Sequence, residues 1–183
     1  MMSGFRSFGE QTVHYFTRPH VAIPEGPVTH PAAWRGREML ERGDWIFHCG
    51  EAERAELEKA VEHARSTGRP LTELVETDFP LPTLTESVRT WRLALREGTG
   101  VVLLKNLPVE RWGEEGSSIF FWCLGLHLGI PGAQNAANDL LGHVRDTGED
   151  RDDPMVRLYR TAADIRFHCD AADVVGLLCL HAA

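Results

Sequence analysis

The chain has 183 residues, 43% hydrophobic and 25% charged, which is the composition of a soluble globular chain and excludes a disordered or fibrous one. Its length suits one ordinary domain, or the N-terminal portion of one, and is short for two large ones. A formal net charge of −8, with 27 acidic against 19 basic residues and the Lys and Arg scattered, argues against nucleic acid as a partner, and no apolar run approaches the ~20 residues that span a membrane.

Residues 1–20 alternate polar and aromatic side chains without a signal-peptide core, and residues 1–30, with Pro19, Pro24 and Pro27, lack sustained periodicity. An extended arm and a cytoplasmic location are the expectations. Residues 31–42, with Ala33, Trp34, Met39 and Leu40, suit a short helix stopped by Gly43-Asp44. The clearest helix is 51–66, where Leu57, Ala60, Val61 and Ala64 line one face and Glu, Arg and Lys fill the rest. After the link Phe79-Pro80-Leu81-Pro82, Thr85 can cap a helix running to residue 97. Val101-Val102-Leu103-Leu104, bounded by glycines and by Asn106-Leu107-Pro108, reads as a buried strand.

A largely buried helix over 114–128 follows, rich in Ile119, Phe120, Trp122 and Leu124 and stopped by Gly129 and Pro131. Short strands are expected at 140–144, 156–161, 165–170 and 174–180, separated by Asp- and Gly-rich links. The chain thus turns from a mainly helical region, 1–97, to a β-rich one, 98–183, an α+β order, without internal repeats.

The four cysteines contain no CxxC and are expected reduced, Cys123 and Cys179 as core side chains. No Gly-rich phosphate loop, GxSxG elbow or HExxH helix is present, which leaves nucleotide-dependent, serine-hydrolase and zincin chemistry without support. The most informative stretch is His168-Cys169-Asp170. On a strand it sets an imidazole and a carboxylate on one face and turns Cys169 away. Imidazole and carboxylate are two donors of the 2-His-1-carboxylate triad that holds non-haem Fe(II) with open positions, although a strand His-x-Asp pair also occurs simply hydrogen-bonded.

Phe167-His168-Cys169-Asp170, followed by the apolar run from Val174 to Leu180, resembles the TauD/TfdA-like Fe(II)/2-oxoglutarate dioxygenase family. Residues 100–108 resemble the first core strand of that family, and residues 126–135 with 140–146 resemble its next elements in one bacterial and fungal branch. The resemblance covers about residues 75–183. It implies a double-stranded β-helix, or jelly roll, present here only in its first part; Fe(II) held by His168 and Asp170; and 2-oxoglutarate as cosubstrate, oxidised by O2 to succinate and CO2 as a small organic substrate is hydroxylated. Gln134 and Asn135 fall, by the same resemblance, in a loop near the substrate pocket, or else form an ordinary turn.

Family members carry a second histidine ligand and an arginine for 2-oxoglutarate on later strands, so the chain is expected to be truncated and inactive alone. His181 is a poor substitute, and His143 reads as a buried strand residue. Arg145-Asp146 reads equally as a pocket pair or a solvent-facing turn, and Asp164 and Asp173 as turn formers or as groups whose hydrogen bonds hold the ligands in place. The alternative to an enzyme is a noncatalytic binding or assembly module that keeps the dioxygenase half-fold. The partner expected is a small-molecule substrate, with no nucleic acid and no membrane, and exposed sheet edges leave a homo-oligomer open.

Overall fold

Leu57, Ala60, Val61 and Ala64 recur at the three- and four-residue spacing that keeps side chains on one helix face, and all four are buried. The computed structural model describes residues 4–19, 22–145, 148 and 167–181. Its elements are α1 (Phe8–Thr17), α2 (Gly36–Glu41), β1 (Ile46–His48), α3 (Glu51–Ser66), α4 (Thr85–Glu97), β2 (Leu103–Lys105) and α5 (Val109–Leu128). They fall into two units: Pro19–Pro131 with Met1–Gly4 and Gly176–Ala183, and Phe5–Arg18 with Gly132–Val175.

In the first unit α3 packs on α5. Glu51 and Glu53 in the first turn of α3, and His63 and Arg65 in its last, match the helix dipole at both ends. Arg111 reaches Glu58 at 2.8 Å across the α3–α5 seam. Two 3-10 turns, Leu71–Glu73 and Glu76–Asp78, then deliver Leu74 and the fully buried Phe79. The Phe79 ring lies 6.4 Å from that of Phe120, which stacks on Trp112 at 4.8 Å.

Helix α4 starts at Thr85, but Thr85 does not cap it: its hydroxyl donates to the carbonyl of Leu81. The entry amides of Thr83 and Leu84 donate instead to one carboxylate oxygen of Glu56, from α3, at 3.0 and 3.2 Å. A side chain 27 residues upstream thus fixes the backbone that leads into the helix, which has no side-chain cap of its own. The expected helix from 114 is the second piece of α5, which begins at Val109 and kinks at Gly113. There φ is 61° and ψ −168°, a conformation that essentially only glycine adopts.

Strand β2 pairs in parallel with β1, in the register Ile46↔Leu103, Phe47↔Leu104 and His48↔Lys105. β1 was not expected; its three residues are too few to display alternation, and its side is fixed by Phe47 meeting Trp91 of α4 edge-on at 5.1 Å. The short helix expected over 31–42 narrows to α2, because Ala33 closes a turn on the carbonyl of His30 before it.

Three expectations are corrected. Residues 8–17 are a helix, not an extended arm: Ser7 accepts from the Glu10 amide while the Glu10 carboxylate accepts from the Ser7 amide, a capping box. Residues 140–144, 167–170 and 174–180 form no strand, since no partner ladder satisfies their backbone among the described residues; 156–161 and 165–166 lie outside those residues. Cys179 is exposed, not a core side chain, with Leu177 beside it 85% exposed. The described residues therefore show a mixed helix and strand fold with a small parallel sheet, and do not display the jelly roll.

Two outcomes follow from this packing. Phe79→Ala should lower the unfolding free energy by about 3–5 kcal/mol in urea titration, whereas a change below about 1 kcal/mol would contradict a central place for this ring. In the folded chain a thiol reagent should label Cys169 and Cys179 and spare Cys49 and Cys123, whose thiols burial pushes up to about 11 and about 12; the latter pair should react only after denaturation.

Candidate metal centre

His168 and Asp170 lie in irregular backbone, both with exposed side chains, and the imidazole Nε2 is 3.7 Å from Asp170 Oδ1. The two donors face one another, within reach of a single cation bonded to each at about 2.1 Å. A neutral imidazole and an ionised carboxylate fit two positions of a facial triad. Among the described residues no third His, Cys, Asp or Glu joins them. His181 and His143 are both exposed, which corrects the buried strand position expected for His143. Asp164 and Asp146 lie outside the described residues.

Gln134 and Asn135 sit in a tight loop of the second unit. Asn135 Oδ1 accepts from the amides of Ala137 and Asp139, and its Nδ2 donates to the Asp139 carboxylate at 2.7 Å. Asn138 closes the loop with φ 65°, in the left-handed region that asparagine tolerates. Gln134 donates to the carbonyl of Gly132 at 2.9 Å. Both side-chain amides thus have partners inside their own turn.

What holds these two segments is α1, whose role the sequence reading missed. At its N-terminal end Arg6 bridges to Gly132, Ala133 donates to the Arg6 carbonyl at 2.9 Å, and the Phe8 amide donates to Asn138 Oδ1 at 2.8 Å. Further along, Gln11, His14 and Arg18 share one face at three- and four-residue spacing. Gln11 donates to the carbonyl of Ala171 at 3.3 Å, His14 Nε2 meets Asp173 Oδ2 at 3.0 Å, and Arg18 Nη1 donates to Asp173 Oδ1. The Arg18 guanidinium also lies over the Tyr15 ring, 4.6 Å from its centroid. The available sequence signal was Ser7-x-x-Glu10, a capping-box pattern ahead of this polar face.

The hydrogen bond from His14 holds the Asp173 carboxyl below its ordinary value, and Arg18 acts in the same direction. A lowered carboxyl pKa stabilises the docked state at pH values above the unfolded value of about 3.9, and that contribution is lost as pH falls through the folded pKa. In an NMR titration the amides of residues 11–18 and 171–173 should shift together with a midpoint below about 3.9, and Asp173→Asn should remove it. Absence of a common midpoint below that value would contradict the docking.

The family described as taurine catabolism dioxygenase TauD, TfdA family matches residues 67–183. FR-33289 synthase of Streptomyces rubellomurinus (strain ATCC 31215) is 30% identical over 161 residues, 87% of this chain and 48% of that protein. Taurine hydroxylase-like protein SAT17 of Stachybotrys chartarum (strain CBS 109288 / IBT 7711) is 25% identical over 172 residues, 90% of this chain and 45% of that protein. The chain spans about half the length of these curated relatives. With the family matched over more than half of its residues, the chain belongs to the TauD/TfdA dioxygenase family.

Proposed function

We propose that this chain carries the iron-binding portion of an Fe(II)- and 2-oxoglutarate-dependent dioxygenase, with His168 and Asp170 as two of the three protein ligands. The observation that carries the reading is the facing pair of donors, 3.7 Å apart, inside the segment matched to the family. Bound iron would activate O2 as the oxidant, with 2-oxoglutarate giving up two electrons as it yields succinate and CO2 and the substrate giving up the other two. The residues of this chain have two tasks. His168 offers a neutral ring nitrogen and Asp170 an ionised oxygen, and the two together leave part of the coordination sphere to other ligands.

The second histidine ligand and the arginine for 2-oxoglutarate belong, in this reading, to sequence downstream of the matched half. The same reading assigns Gln134 and Asn135 to the substrate side of the site, supported by the ties from Arg6 and Phe8 that hold their loop in the unit carrying His168 and Asp170. A small organic molecule is the substrate class. Two-ligand binding should be weak. Anaerobic equilibrium dialysis of the 183-residue chain should register Fe(II) uptake at high micromolar metal or above, reduced at least ~tenfold in both His168→Ala and Asp170→Ala. Equal uptake by both variants and the parent chain would sink the assignment.

A further inference from the structure

We infer that α1 is a positioning element for the His168–Asp170 pair, gripping the turn that follows it through Gln11, His14 and Arg18. The functional meaning of this grip rests on the reading of the pair as metal ligands; the grip itself does not. His168 and Asp170 are exposed, and among the described residues no strand ladder sets their direction. The adjoining backbone is the part of their support that the contacts of α1 reach. Ala171, the residue after Asp170, has its carbonyl held by Gln11, and Asp173 is held at both oxygens, Oδ2 by His14 and Oδ1 by Arg18. Two donors on two different oxygens fix the plane of a carboxylate as one cannot.

The helix that makes these contacts is itself anchored. Its N-terminus is tied to the loop at 132–138 by the Arg6 bridge and the Phe8–Asn138 hydrogen bond, and its first turn is closed by the Ser7–Glu10 capping box. Tyr15 packs under Arg18 and restricts the guanidinium to the side that meets Asp173. One short helix therefore connects the Gln134–Asn135 loop to the backbone beside the ligand pair, within the same unit. Gln11, His14, Arg18 and Asp173 are positioning residues, since none is placed on the metal.

The test uses the 183-residue chain with Co(II) as the metal probe, comparing the parent with Arg18→Ala, Asp173→Asn, the conservative Arg18→Lys and the ligand variant His168→Ala. Metal-free hydrogen exchange over 167–175 should accelerate at least ~tenfold in Arg18→Ala and Asp173→Asn, with Arg18→Lys intermediate. Co(II) affinity should fall roughly 10–100-fold in the first two, the Co(II) absorption bands should shift, and Arg18→Lys should recover part of both. Combining Arg18→Ala with Asp173→Asn should add little to either alone, as one shared contact requires. Unchanged exchange in both variants overturns the grip. Loss of Co(II) binding in His168→Ala with unchanged affinity and bands in the α1 variants overturns the positioning role. If His168→Ala binds Co(II) like the parent, the ligand reading fails and exchange alone decides the grip.

Discussion

Burial of the α3 stripe against α5 sets where every other element of the helical unit can go. Leu57 and Val61, removed from water there, each contribute about 1.5–3 kcal/mol, whereas a partly exposed ion pair such as Arg111–Glu58 contributes between about 0 and 1 kcal/mol. The apolar seam therefore decides the packing and the charges along it adjust. Once α3 is placed, Glu56 takes the entry amides of α4, and α4 sets Trp91 against Phe47 on β1. The parallel pairing of β1 with β2 follows from helices that carry the chain across between them.

The second unit is held on a different physical basis. Helix α1 has no buried residue, and hydrogen bonds and ion pairs tie it to the rest of its unit. Contacts of this kind are individually modest in water and act together only while their geometry is kept. Regions with little buried apolar surface open at lower free energy than cores do, so the segment with His168 and Asp170 belongs to the more easily opened part of the molecule.

The legible parts of the sequence were those in which one local signal decides the outcome. The apolar stripe of 51–66 and the Gly98 stop after 85–97 specify α3 and α4 with the bounds expected. Gly113 hid the first turn of α5, because a glycine inside a pattern reads as its edge. β1 escaped notice since three residues cannot display a period, and its pairing depends on residues 57 positions away. The strand readings after residue 140 treated β-branched and apolar runs as sufficient, yet a strand is a relation between two segments, and no second segment pairs with these among the described residues. At the site, His168 and Asp170 stood out by residue type and family resemblance. Their support did not, because His14, Arg18 and Asp173 are ordinary surface residues until the fold brings them together.

The contact from Gln11 to Ala171 spans 160 residues of chain. A ribosome adding about 5–20 residues per second would take roughly 8–30 s between making the two ends. Throughout that interval α1 has its capping box but lacks its docking turn, while α3 and α5 already have each other. The helix nearest the candidate chemistry is thus made well before the turn it grips, and the loop between them is long, so its docking is governed by long-range closure and not by local propensity.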